Sequence, residues 1–193
     1  MKNLNVIKVV SLLMIGIMIL SACNSEPKES NTKNQVVKSE EASSKPEQAT
    51  ENQSGEVIAQ YLELKDALVA DNPEATAFLS KELLTALEGF NLNHFKADDK
   101  VGLTKIIEQS KELAKQLLTS DIARQRAQFL HLSKNLIELV GLTGTPGQLY
   151  QQYCPMYNNN QGGVWLSAQK EIKNPYFGAS MLHCGVIQKE IRG

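Results

Sequence analysis

The chain is poor in the residues and motifs that most hydrolytic and nucleotide-dependent chemistry requires. It has only three histidines, His94, His131 and His183, and no two of them stand at the helical spacing of a zinc protease. No Gly-x-Ser-x-Gly turn occurs. The glycine-containing stretches Gly144-Thr145-Pro146-Gly147 and Gly162-Gly163 lack the lysine and Ser/Thr of a phosphate-binding loop and read as turns. The chain is therefore expected not to be an enzyme. It also lacks an excess of either charge: 20 basic residues face 21 acidic ones, a formal net charge of −1. Basic residues do not cluster with interleaved aromatics, so no nucleic-acid partner is expected. Nor is any apolar run as long as the about 20 residues that a membrane-spanning helix needs.

The longest such run, Val9 to Leu20, is preceded by Lys2 and Lys8. A basic start followed by a short apolar stretch is the pattern of a signal peptide, here residues 1–22. Leu20-Ser21-Ala22-Cys23 resembles the lipobox of bacterial lipoproteins. That resemblance implies diacylglyceryl attachment at Cys23, cleavage before it, and acylation of the new amine. Cys23 is the expected lipidation site, and the mature protein is expected to be anchored to a bacterial membrane in the cell envelope, with its domain in the periplasm or at the cell surface. Several acyl chains on one residue make stable attachment reasonable, since each buried methylene contributes about 0.8 kcal/mol. Removing residues 1–22 takes away two lysines and no acid, so the formal charge moves from −1 to −3.

Between Asn24 and Gly55 the only large apolar residues are Val36 and Val37, and no aromatic occurs. Such a stretch cannot build a core, so residues 23–55 are expected to be a lipidated N-terminus followed by a flexible polar linker. A tether of about 30 residues has an end-to-end distance of roughly 30 Å. Residues 56–193 are the size of one ordinary domain.

Within that domain, helical spacing of apolar residues predicts four helices. The first runs from about Gly55 to Ala70. The second starts at Asn72-Pro73, an N-cap followed by a first-turn proline, and ends at Gly89. A third spans Leu103 to Leu118 after a loop at Asn91 to Asp99. The fourth is capped by Ser120-Asp121 and stopped at Gly141. The expected fold is all-α, an antiparallel four-helix bundle. An irregular C-terminal segment, with a short β-hairpin as one option around Val164-Trp165-Leu166-Ser167, packs on it. His131 reads as a partly exposed helical residue. Arg126 reads as a tie between helix ends and the C-terminal segment, with Glu63 or Asp66 as candidate partners.

The segment after Gly141 concentrates aromatics, amides, two cysteines and two methionines. Leu149-Tyr150-Gln151-Gln152-Tyr153-Cys154-Pro155-Met156, Trp165-Leu166-Ser167, Glu171-Ile172-Lys173-Asn174-Pro175-Tyr176-Phe177-Gly178 and Met181-Leu182-His183-Cys184-Gly185 resemble the domain of unknown function 3347 family. The similarity extends upstream through Tyr61 to Val69 and Gln125 to Ser133, and so over essentially the whole domain. Tyr157-Asn158-Asn159-Asn160 departs from the pattern, where a small residue is expected after the methionine. The family occurs as lipoproteins and as an extra domain on periplasmic adaptors of copper and heavy-metal efflux systems. The resemblance implies an association with metal handling and names a heavy-metal efflux adaptor as a candidate partner.

Ligand chemistry sharpens that expectation. Thiolate and thioether sulfurs are soft donors that select Cu(I). Cys154, Met156, Met181 and Cys184 are therefore the candidate ligands, with His183 as a substitute and Trp165 as a cover over the ion. Cu(I) is the expected ligand ion. A disulfide between Cys154 and Cys184 is the alternative at the same residues: in an oxidising compartment unpaired cysteines bond, and closing a loop of about 30 residues contributes about 3 to 4 kcal/mol in the chain-entropy model. A structural, partner-docking lipoprotein holding that disulfide is the corresponding second function. A thiol oxidoreductase is disfavoured, because the cysteines are not in a Cys-x-x-Cys arrangement. The aromatics Tyr150, Tyr153, Trp165, Tyr176 and Phe177 read equally well as a cluster gluing the segment to the helices.

Overall fold

The computed structural model describes residues 46–193. The signal-peptide segment, Cys23 and most of the polar tether lie outside the described residues. Four long helices come first: α1 (Pro46–Val69), α2 (Pro73–Glu88), α3 (Ala97–Gln116) and α4 (Ile122–Thr143). Three strands follow: β1 (Leu149–Cys154), β2 (Gly163–Ser167) and β3 (Val186–Ile191). The described chain is mostly helical, with a small antiparallel sheet at its C-terminal end.

Helix starts follow local chemistry closely. Asn72 caps α2, its side chain accepting from Ala75 N at 2.9 Å, with Pro73 as the first helical residue. Asp121 caps α4 by accepting from Ala123 N and Arg124 N at 2.9 and 3.2 Å. Each such cap satisfies amides that have no partner inside the helix.

Three boundaries differ from the sequence expectation. Helix α1 begins at Pro46, well ahead of Gly55. Low hydrophobicity prevents a core but not a helix, and Glu47, Gln48, Ala49 and Glu51 are residue types of good helix propensity. Helix α3 begins at Ala97, with Asp98 and Asp99 in its first turn, where the helix dipole favours acids. Helix α4 runs through Gly141 to Thr143 and is stopped by Gly144 at φ +74°. An isolated glycine is tolerated inside a helix, and the residue whose positive φ only glycine adopts easily is what ends it.

Helix α1 packs on α2 and α4, α2 packs on α3, and α3 packs on α4. Their shared interior holds Leu64, Leu68, Leu83, Leu87, Leu103, Leu117, Leu132, Leu136 and Leu139, all without exposure. Burial of each such side chain contributes about 1.5 to 3 kcal/mol before entropy is counted. The C-terminal segment adds Leu149, Cys154, Trp165, Leu166 and Tyr176 to the same apolar cluster.

The sheet order is β2-β1-β3, both pairings antiparallel. Gln152 faces Trp165 and Cys154 faces Gly163 across β1 and β2, and Tyr153 faces Val186 across β1 and β3. A third strand thus replaces the isolated hairpin. Sequence gives little sign of β3, which is exposed along almost its whole length and alternates no apolar face toward a core. Between β1 and β2, Asn158, Asn159 and Asn160 all have positive φ, at 51°, 54° and 62°. Asparagine tolerates that conformation better than most other side chains, which accounts for three of them in the turn that follows Met156-Tyr157.

Candidate functional site

Cys154 is the last residue of β1 and is wholly buried. Its Sγ lies 3.1 Å from the Sγ of Cys184, and neither cysteine is in a disulfide. Cys184 sits on the loop before β3 and is partly exposed. The contact with Cys154, and then burial, push the Cys184 thiol above its ordinary value. A buried strand end and a surface loop thus each supply one sulfur, and the pair spans the boundary between core and solvent.

The loop that delivers Cys184 is held from within. Asn174 is fully buried. Its backbone N–H donates to Leu182 O at 2.8 Å, its Nδ2 donates to Cys184 O at 2.7 Å, and its Oδ1 accepts from Tyr176 N at 2.8 Å. One side chain therefore closes the turn Asn174 to Tyr176 and also fixes the backbone of Cys184. Gly185 follows, where a Cβ would stand 3.0 Å from the Trp165 ring and 3.1 Å from Tyr153 O. Only a residue without a side chain lets the loop lie so closely on the indole.

The same loop is tied to the helices by Arg126. Its Nε donates to Pro175 O at 2.9 Å, and its Nη2 donates to Leu68 O at 3.1 Å and to Asp71 Oδ1 at 2.5 Å. Asp71 is the carboxylate partner, not Glu63 or Asp66, because the α1–α2 turn places it beside Gly178. The Asp71 carboxylate also accepts from Ala179 N at 2.9 Å. The Ala179 bond first, and the Arg126 bond next, hold its carboxyl below the usual value. Gly178, at φ +54°, leaves no room for a side chain against that carboxylate.

The aromatics form the cluster that attaches the segment. Tyr176 stacks on Tyr157 at 4.2 Å, meets Trp165 edge-on at 5.9 Å, and reaches Phe129 of α4 at 5.8 Å. Tyr61 stacks on Phe129 at 5.2 Å. Its hydroxyl bonds Ser133 Oγ at 2.7 Å and accepts from Leu166 N at 3.1 Å, joining α1, α4 and β2. Burial pushes both phenols up.

Of the residues singled out in sequence, Cys154 and Cys184 are brought into contact. Met156, half-exposed, lies two residues beyond Cys154 at the start of the asparagine turn. Met181 ends a 3-10 turn (Gly178–Met181), and its carbonyl accepts from Cys184 N at 3.0 Å. His183 is exposed, with Nδ1 3.1 Å from Ile172 O. Since a carbonyl only accepts, Nδ1 donates in this contact, which orients the ring. Among the described residues, no three His, Cys, Asp or Glu side chains converge as a ligand group. Trp165 is wholly buried, beneath the loop at Gly185. His94 lies in an exposed 3-10 turn (Leu92–His94), and exposed His131 borders an open groove with Glu108, Glu112 and Asn135.

Asn174, Gln152 and Asp71 are framework residues to which the sequence assigns no such role. Gln152 is buried and its Nε2 donates to Gln169 O at 2.8 Å. The Asn-Pro turn chemistry is the only local signal for any of them; their partners lie across tertiary contacts.

Fold and site together define a mostly helical protein that carries a paired thiol at the end of the central strand of a small antiparallel sheet. Residues 57–147 match the model of the family described as "Protein of unknown function (DUF3347)". The match takes in Tyr61 to Val69 and Gln125 to Ser133. It stops before β1, so the sulfur residues lie outside it. No curated protein and no solved structure matches the chain.

Proposed function

We propose that this chain is a lipid-anchored envelope protein, tethered through Cys23, that binds a soft metal ion at the Cys154 and Cys184 thiols. The observation that carries the reading is the 3.1 Å approach of two free thiols, one buried and one at the surface. Metal–thiolate bonds of about 2.3 Å place two sulfurs about 3.8 to 4.6 Å apart, so the pair accepts an ion by opening roughly 1 Å. Rotation of the Cys184 side chain on its fixed backbone can supply that movement. Two thiolates, with methionine thioethers close by in sequence, favour Cu(I) over harder ions. Met156, Met181 and the Nε2 of His183 are available within a few residues to complete coordination. The helical part is read as an antiparallel four-helix bundle that serves as a rigid support. The role is capture and delivery: the ion is held reversibly and passed by ligand exchange to an efflux adaptor.

The test is a titration of the reduced full chain in detergent with Cu(I) against a competing chelator, repeated with Cys154→Ser and Met181→Leu. One equivalent is expected to be held, and both substitutions are expected to weaken it. A reduced wild type that cannot compete, or variants with unchanged affinity, sinks the reading.

The same sulfur contact also favours a second reading, a partner-docking lipoprotein whose Cys154 and Cys184 form a disulfide. Closing by about 1 Å reaches the bonded distance of about 2.05 Å. In that case a Cys154→Ser, Cys184→Ser chain still folds and still copurifies with its partner, and loss of that association counts against it.

A further inference from the structure

We infer that the thiol pair is an exchange switch whose entry sulfur is Cys184, modified by low-molecular-weight thiols and disulfides, and whose resolving sulfur is Cys154. The inference deepens the metal reading by naming its regulation, and it rests on that reading for its purpose alone. Its observations are three. The sulfurs stand 3.1 Å apart, within the distance at which a bond-forming attack begins. Cys154 is wholly buried in the apolar cluster, so a bulky reagent cannot reach it. Cys184 is partly exposed on the loop closed by Asn174, so a reagent can. Exchange requires a thiolate in line with a reachable sulfur, and access here is asymmetric.

Oxidation by a small disulfide RSSR then runs in two steps. The Cys184 thiolate attacks one sulfur of RSSR, forming a Cys184–SR mixed disulfide and releasing RS⁻. The Cys154 thiolate next attacks the Cys184 sulfur, breaking the bond to SR, forming Cys154–Cys184 and releasing the second RS⁻. Two electrons pass from the protein thiols to RSSR, and the two thiol protons leave with the two released thiols. Reduction is the reverse, with the incoming thiolate attacking Cys184 and Cys154 leaving. The oxidised pair offers no thiolate to an ion, so ion binding is open only in the reduced state.

The experiment uses the full chain in detergent, without metal. Reduced wild type is pulse-alkylated, and it is also treated with oxidised glutathione. Adducts are located by peptide mapping, which keeps Cys23 separate. Alkylation of Cys184 is expected to outrun that of Cys154 by at least about tenfold, and glutathione disulfide is expected to yield the Cys154–Cys184 bond. Cys154→Ser, which removes the resolving sulfur, should accumulate a glutathione adduct on Cys184. Cys184→Ser should leave Cys154 unmodified until urea is added. Equal alkylation of both thiols in the wild type, an adduct on native Cys154, or failure of the wild-type pair to oxidise overturns the inference. The alkylation measurement on wild type decides the access question even if a variant fails to fold. Because no metal is present, failure here leaves the ion reading standing. A chain that exchanges as described but holds no Cu(I) removes only the ion reading.

Discussion

The four helices and the C-terminal sheet with its loops are held by different means. The helical part is closed by a run of fully buried leucines spread over all four helices, so apolar area holds it redundantly. The C-terminal segment is anchored by its aromatic cluster, and its loops depend in addition on individual polar groups: Arg126 with Asp71, Asn174 under Cys184, and Gln152 across the Gln169 loop. Redundant burial tolerates the loss of one member. A staple made of two or three hydrogen bonds does not, because each deletion strands a buried partner. A thiol pair mounted on the second kind of structure therefore depends on each of those bonds.

The strongest way to break this contrast is Phe129→Ala, since that ring touches Tyr61 in the helices and Tyr176 in the segment. A loss of about 3 to 5 kcal/mol is expected. Urea denaturation followed by far-ultraviolet circular dichroism and by fluorescence of the single tryptophan, Trp165, should show both signals shifting together. A shift in only one signal means that the two parts do not share a core.

Asn174→Ala sharpens the contrast from the other side. It leaves Cys184 O and Tyr176 N without their partner, at about 1 to 3 kcal/mol. Hydrogen exchange should quicken over residues 172–186 while α2 and α3 stay as protected as before. Uniform acceleration through the helices would show that the segment is not separately held.

Tyr61→Phe removes the one hydroxyl that joins α1, α4 and β2, with a loss of about 1 to 2 kcal/mol. A double-mutant cycle with Ser133→Ala should return a coupling of about 0.5 to 1.5 kcal/mol. Additive effects would mean the 2.7 Å contact contributes no pairwise stability.

The smallest effect is expected at Asp71, whose carboxylate is largely open to solvent and therefore screened. Its carboxyl is held below the ordinary value in the folded chain by Ala179 N–H and Arg126. Its contribution to stability is thus complete above the usual carboxylate value of about 3.9 and is lost as pH falls through the lower folded value. Melting temperatures from pH 7 to pH 3 should fall less steeply in Asp71→Asn than in wild type. Parallel curves would remove Asp71 from the acid response.

Helix limits are legible in the sequence where the signal is local. Asn72-Pro73 and Asp121 start α2 and α4 as their side chains dictate, and Gly89 ends α2. The turn at Asn174-Pro175-Tyr176 is equally legible, with its Asn side chain bonded to Tyr176 N. Less legible are the limits of α1 and α4. A polar composition excludes a core without excluding a helix, and Gly141 carries the same residue type as the stop that only Gly144, through its positive φ, provides. Strand β3 is invisible because an exposed edge strand of mixed polar residues has no hydrophobic period. The partner of Arg126 cannot be named from sequence, since Asp71 and Arg126 are 55 residues apart.

For the site, sequence by itself determined which atoms are available: two thiols, two thioethers and one imidazole, in two short segments. It also determined that no nearby Cys-x-x-Cys pairing was possible. Tertiary structure alone decided which of them meet. The antiparallel register of β1 with β3, the Asn174 bonds to Leu182 and Cys184, and the bare backbone of Gly185 against Trp165 bring Cys184 onto Cys154. Structure alone also made the pair unequal, burying one sulfur and leaving the other within reach of solvent. The physical reason is that residue type fixes donor chemistry, whereas distance and exposure are properties of packing between segments that are remote along the chain.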